Sequence, residues 1–317
     1  MILNIILLIV GFILLIKGAD FFVDGASSTA QNFKVSKMLI GLTIIAFGTS
    51  APEFAVSIQS LAKGSTDMLL GNVIGSNILN ILLILGVAAV IHPIKIKDNT
   101  VKKELPLCML ISILLIVLFL DIRLANGLVN EITRSDAIVI ILFFTIFIYY
   151  LIALAKQNKE NDEQEKPKFK LWKSLLLVLI GLVGIILGSN MVVNNASDIA
   201  TKLGLSERVI ALTIIALGTS LPELVTTIVS SKKGEQDLLL GNIIGSNIFN
   251  ACVVLGIPVA LFGTITPTSF NYLDLFMLIG SSLLLFAFAE TKRTISRFEG
   301  AIMLLIFIVY YVFVFII

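Results

Sequence analysis

Two glutamates, Glu53 and Glu223, each lie deep in an apolar stretch and each close the same run, Gly-Thr-Ser-x-Pro-Glu. An acidic residue at the centre of a membrane helix costs about 2.5 to 3.5 kcal/mol on insertion scales, so it is rarely kept there without a use. One use is structural: a protonated glutamate hydrogen-bonded across helices. Each carboxyl, however, has two hydroxyls beside it, Thr49 and Ser50 in one run and Thr219 and Ser220 in the other. Two such copies favour cation binding. The proline in each run removes a backbone donor and clashes with the preceding turn, and the glycine loosens the backbone. A kink is therefore expected, with carbonyl groups freed around Ala46–Thr49 and Ala216–Thr219. Irregular backbone at membrane depth is tolerated only where it is buried in protein or lines a wet cavity.

A second pair of runs, GNVIGSNILN and GNIIGSNIFN, supplies neutral oxygens. Ser76 and Asn80 are four apart and share a helical face, as do Ser246 and Asn250, while Asn72 and Asn242 lie four residues earlier. Glycine and serine at this spacing also let membrane helices pack closely, which would bring the oxygens together. The combined donors are carboxylate, hydroxyl, amide and carbonyl oxygen, without sulfur or imidazole. Such donors suit hard cations. Calcium takes six to eight oxygens in flexible geometry, sodium has similar tastes, magnesium holds its water more tightly, and soft metals are disfavoured.

The elements that must position these groups are membrane helices. Of the 317 residues 57% are apolar and 14% charged, and the mean hydropathy is +1.03. That excess of apolar surface must face lipid. A span needs about 20 apolar residues. Ten candidates are expected: 1–23, 37–61, 68–92, 105–121 and 135–155 in the first half, and 171–193, 207–231, 238–262, 271–290 and 298–317 in the second. The N-terminal stretch lacks a basic leader and a small-residue cleavage site, so it reads as a retained first helix. Residues 156–170, KQNKENDEQEKPKFK, form a solvated linker. Ten spans place both termini on one side. The loops there hold five Lys and Arg (Lys63, Arg123, Arg134, Lys202, Arg208) against seventeen opposite. The positive-inside rule then makes the linker cytoplasmic and both termini external.

The chain is also internally repeated. GLTIIAFGTSAPE (41–53) and ALTIIALGTSLPE (211–223) agree at ten of thirteen positions; DMLLGNVIGSNILN (67–80) and DLLLGNIIGSNIFN (237–250) agree at eleven of fourteen, at the same offset of 170. The units are 1–155 and 171–317. Five spans per copy make the second enter from the other side, so the fold expected is all-α, ten helices in two inverted repeats, with helices 2, 3, 7 and 8 broken around a midplane ion site. Many secondary transporters are built in this way.

These doubled GTSxPE and GNxxGSN blocks resemble the two alpha-repeats of the calcium/cation antiporter superfamily, which includes sodium/calcium exchangers, and the resemblance spans essentially the whole chain. It implies that Glu53 and Glu223 are central calcium ligands that also serve sodium. Thr49, Ser50, Thr219 and Ser220 would give hydroxyl or carbonyl oxygens, and Ala46 and Ala216 main-chain carbonyls. Ser76 and Ser246 would line flanking sodium positions, with Asn80 and Asn250 completing the middle. Spans one and six would slide against the rest to alternate access. Many similar exchangers carry aspartate where Asn250 stands, leaving two carboxylates here and not three.

Exchange of Ca2+ for Na+ is thus the function expected, in a prokaryotic plasma membrane, with Ca2+/H+ exchange as the alternative and a cation channel as a further reading. No cofactor is implied beyond the transported ions. A net charge of +2 gives no argument for nucleic acid, and no GxxxxGK[ST] nucleotide motif is present. Cys108, Cys252 and the single His92 form no metal or disulfide pattern. No intramembrane Ser/His/Asp set or HExxH exists, which argues against an enzyme.

Overall fold

The computed structural model describes residues 1–120, 129–157, 166–204, 216–266 and 272–316. Among these, seven helices are long and apolar enough to cross a membrane: Ile2–Phe33 (α1), Thr66–Ile91, Arg134–Lys156, Leu171–Lys202, Gln236–Phe262, Tyr272–Lys292 and Arg297–Val314. A pair bent at Ser50, Lys37–Thr49 with Ala51–Ala62, makes an eighth. The two remaining expected spans are shorter here. The first is a π-helical turn, Thr100–Glu104, running into helix Leu105–Phe119. The second is Ala216–Thr219 followed by Leu221–Lys232, and its expected start, 207–215, lies outside the described residues. So do Arg123 and Arg208, residue 271 of the ninth expected span and most of the linker, 158–165. Among the described residues, apart from one antiparallel pair of two-residue strands, Ile94–Lys95 with Thr294–Ile295, and a single bridge between Ile132 and Ile265, the regular structure is helical. Rows of isoleucine, leucine and phenylalanine on α1 and on Arg297–Val314 are exposed, as lipid-facing helices require. The chain is an integral multi-pass membrane protein.

Contacts divide the chain into two compact units, Met1–Pro52 with Ala155–Asn242, and Glu53–Leu154 with Ile243–Ile317. Each unit draws on both sequence halves. In the first, α1 crosses Leu171–Lys202 at backbone distance because glycines meet: a Cβ added at Gly18 would lie 2.7 Å from the Ile185 nitrogen, and one at Gly188 would lie 2.6 Å from the Leu15 nitrogen. Gly41 meets Gly241 in the same manner, 2.9 Å from its Cα. Polar contacts pin both ends of α1. Asn4 donates to Asp198 at 2.9 Å, and Ser27 donates to Glu235 at 2.9 Å. Glu235 also pairs with Lys37 at 3.0 Å. The last residues of the expected linker dock on α1: Lys168 pairs with Asp24 at 3.2 Å, and the Phe169 N–H donates to the Ser28 hydroxyl at 3.0 Å.

In the second unit, Gly86 and Gly300 form another close crossing, with a Cβ at Gly300 only 2.8 Å from the Gly86 carbonyl. Two half-buried phenol–carboxylate contacts, Tyr150 with Glu104 and Tyr310 with Asp274, join neighbouring helices. π-helical turns interrupt the helices at Asn80–Leu85 and Asn250–Leu255. Each begins at the last asparagine of a GNxxGSNxxN block, and such bulges are common at functional sites.

Candidate functional site

The GTSxPE runs do break their helices, and the break positions the carboxylates. Ser50 (φ −83°, ψ 7°) and Ser220 (φ −90°, ψ 7°) leave helical geometry, and new helices start at Ala51 and Leu221. Each glutamate thus falls in the first turn of a helix, where the N-terminal end of the dipole favours negative charge. Both are buried, Glu53 at 0% and Glu223 at 1% exposure.

Within the expected stretch Ala46–Thr49, the Ala46 carbonyl accepts from the Ser50 N–H at 3.1 Å. The carbonyls facing the missing proline donors are four residues before Pro52 and Pro222, at Gly48 and Gly218. Ala46 as a ligand would act through its second lone pair. Ala216 lies in the corresponding helical turn, Ala216–Thr219.

In the first unit the Ser50 hydroxyl donates to Glu223 Oε1 at 2.8 Å. Among the described residues nothing donates to the second carboxylate oxygen, Oε2. Thr49 has one hydroxyl proton and three acceptors in reach: the Ile45 carbonyl at 3.0 Å, Asn242 Oδ1 at 3.1 Å and the Ala46 carbonyl at 3.4 Å. Asn242 in turn donates to Thr227 Oγ1 at 3.2 Å. Ser220 is buried and Thr219 half-buried beside the break.

In the second unit the amide of Asn72 donates to the Glu53 carbonyl and to the Ser57 hydroxyl, both at 3.0 Å. Asn72 and Asn242 therefore spend their N–H groups bracing the glutamate helices, through Ser57 and its repeat partner Thr227. Asn72→Ala should cost about 1 to 2 kcal/mol by stripping two acceptors of their donor. A melting temperature lowered by several degrees would register it, with calcium affinity reduced less than by loss of a carboxylate.

Two residues that the sequence reading passed over, Asn77 and Asn247, tie the two GNxxGSN blocks together. Asn77 Nδ2 donates to the Asn247 carbonyl at 3.1 Å, and Asn247 Nδ2 to the Asn77 carbonyl at 3.4 Å. Asn80 Nδ2 donates to Asn247 Oδ1 at 2.9 Å, and Asn250 Nδ2 to the Ser76 hydroxyl at 3.0 Å. The Ser76 hydroxyl itself donates to the Val73 carbonyl at 3.1 Å. Recurrence of both asparagines at the offset of 170 was the signal that marks them.

The amide donors are satisfied within the protein, while Asn77 Oδ1, Asn80 Oδ1, Asn250 Oδ1 and the Ser246 hydroxyl are buried with no hydrogen-bond partner among the described residues. Buried acceptors left bare are costly in a low-dielectric interior. In the second unit these bare atoms are all oxygen, as is Glu223 Oε2 in the first, and oxygen is the donor chemistry of Ca2+ and Na+. No group of three or more His, Cys, Asp or Glu is assembled among the described residues.

Comparisons with known proteins agree with this chemistry. The family model described as sodium/calcium exchanger protein matches residues 3–153 and 173–316. The sodium/calcium exchanger MaX1 of Methanosarcina acetivorans is 32% identical, over 98% of both chains. Inner membrane protein YrbG of Escherichia coli is 35% identical, over 84% of this chain and 82% of its own. A solved structure of the sodium-calcium exchanger NCX_Mj, soaked with Na+ and Sr2+, superposes with a TM-score of 0.84 at 34% identity, covering 98% of this chain and 97% of that one. The matched family, MaX1 and NCX_Mj are transporters of the sodium/calcium exchanger kind, not enzymes. The chain is a member of the sodium/calcium exchanger family.

Proposed function

We propose that the protein is a secondary antiporter that exchanges Ca2+ for Na+ by alternating access, with Glu53 and Glu223 as its charged cation ligands. The observation that carries this reading is the set of buried oxygens without donors, Glu223 Oε2, Asn80 Oδ1, Asn250 Oδ1 and Ser246 Oγ. Thr49, Ser50, Thr219, Ser220 and Ser76 supply further hydroxyl oxygens, and Ala46 and Ala216 supply carbonyls. Ten spans in two inverted repeats, external termini and a cytoplasmic linker complete the reading. MaX1 and NCX_Mj carry sodium/calcium exchange in their names, which supports Na+ as the counter-ion.

Coupling follows from charge. A carboxylate stripped of its ion in a poorly polarisable interior is strongly disfavoured, so the ion-free carrier resists changing sides. A loaded carrier is closer to neutral and passes. Ca2+ and Na+ compete for the same oxygens and exclude one another. With asparagine at 250 the ligand set holds two negative charges, which one Ca2+ or two Na+ neutralise; a third Na+ would leave a net positive charge.

Calcium-45 uptake into proteoliposomes loaded with Na+, with K+ or with acid buffer tests the reading. Internal Na+ alone should drive uptake, and clamping the membrane potential at different values should change the rate little, since two-for-one exchange moves no net charge. Uptake that follows an acid gradient without Na+ would replace the counter-ion by H+. Steep voltage dependence, with three Na+ leaving for each Ca2+ taken up and so one net charge moved per cycle, would overturn the two-carboxylate stoichiometry.

A further inference from the structure

The broken helix of the second repeat contains a device with no counterpart in the first repeat among the described residues. Pro222 has no N–H, so the Gly218 carbonyl loses its usual helical donor. A side chain from another helix takes it up: the buried Ser189 hydroxyl, on Leu171–Lys202, donates to the Gly218 carbonyl at 3.0 Å. Ser189 and Val193 are four apart and share one face of that helix. The face lies so close to the turn that a methyl on Gly218 would collide with Val193. Gly188, one residue away, faces α1 instead.

At the offset of 170 the counterpart of Ser189 is Ala19, which is buried and has no donor. Beside the corresponding Gly48 stand apolar atoms, Leu182 Cδ1 and Phe22 Cζ, 3.1 and 3.2 Å from where a Cβ would sit. The hydroxyl clamp is therefore specific to one of two otherwise matching breaks.

We propose that Ser189 is a positioning residue for cation binding. By fixing the Gly218 carbonyl it fixes the peptide plane that leads into Thr219, Ser220 and Glu223, and so sets where the Glu223 carboxylate points. It touches no cation itself. The inference rests on Glu223 being a cation ligand.

The test is equilibrium binding of calcium-45 to purified protein, with transport kinetics and melting temperature on the same preparations. Ser189→Ala should weaken calcium affinity about fivefold, the ratio that one net hydrogen bond corresponds to, raising KM far more than it lowers the maximal rate. Ser189→Thr and Ser189→Val have the same shape and differ in the hydroxyl, so Thr should bind within about twofold of wild type and Val should match Ala. That pair carries the test if the alanine variant fails to fold. Equal affinity in Thr and Val variants, or a lowered melting temperature with unchanged affinity, would overturn the inference. Glu223→Gln separates the two levels. If it loses calcium while Ser189→Val does not, only the role of Ser189 falls; if it binds calcium as wild type does, the ligand assignment falls and this inference with it.

Discussion

Glu223→Gln is expected to abolish calcium binding and gradient-driven uptake while leaving the protein folded, and Glu53→Gln is expected to do the same. The substitution keeps the shape and retains an oxygen that can accept from Ser50, as Glu223 Oε1 does at 2.8 Å. It removes the charge. Breaking a buried, desolvated charge pair costs about 3 to 5 kcal/mol, which corresponds to a loss of roughly a hundredfold or more in affinity. Stability moves differently. A buried carboxylate without its cation is a liability to the fold, so the metal-free melting temperature of the glutamine variants should not fall. Saturating Ca2+ should raise the melting temperature of the wild type, since a ligand at 100 times its Kd contributes about 2.7 kcal/mol, and should leave both variants unmoved. Thermal melts with and without Ca2+, beside calcium-45 uptake, read both effects. A variant that still gains stability from Ca2+ would remove its glutamate from the ligand set.

What could be read in advance follows from how local each signal is. The burial of Glu53 and Glu223 was legible because their surroundings in the sequence are apolar on both sides, and the break was legible because Pro52 and Pro222 cannot donate. The register of the break was not. Whether a kink frees the Ala46 or the Gly48 carbonyl depends on where the helix restarts, and the Ser50 N–H still reaches Ala46. The GNxxGSN blocks announced neutral oxygens, yet their division of labour is a property of packing. Asn72 and Asn242 turn their amides toward Ser57 and Thr227, while Asn80 and Asn250 turn theirs toward Asn247 and Ser76. Spacing alone places Ser76 with Asn80 on one face; it cannot show that Asn77, one residue round the helix, meets Asn247 from the other repeat. The Ser189 clamp was also out of reach, since its donor and acceptor lie 29 residues apart and the repeat offset predicts alanine and serine equally well there.

Gly181→Leu should have the second large effect, this time on the fold. A Cβ at Gly181 would sit 2.5 Å from the Phe22 nitrogen and 2.7 Å from the Gly18 carbonyl oxygen. Both are backbone atoms of α1, which cannot swing aside as a side chain can. The two helices would have to separate along their crossing, and the neighbouring close approach at Gly188 would open with them. Overpacking a well-filled core by methylenes already costs about 1 to 3 kcal/mol, and a backbone collision costs more. Membrane helices depend on such close contact because lipid offers no hydrophobic drive to hold them together. Detergent-purified Gly181→Leu should therefore melt many degrees lower than wild type or elute as aggregate, and should not transport. Gly280→Ala is the matching control: nothing lies within 4 Å of a Cβ there, and alanine in the interior of Tyr272–Lys292 should add up to about 1 kcal/mol of helix propensity. A Gly181→Leu protein as stable as Gly280→Ala would mean that α1 and Leu171–Lys202 do not depend on backbone contact. Their expected movement as one sliding body would then lose its physical basis, because only helices locked at this distance can shift together without repacking side chains.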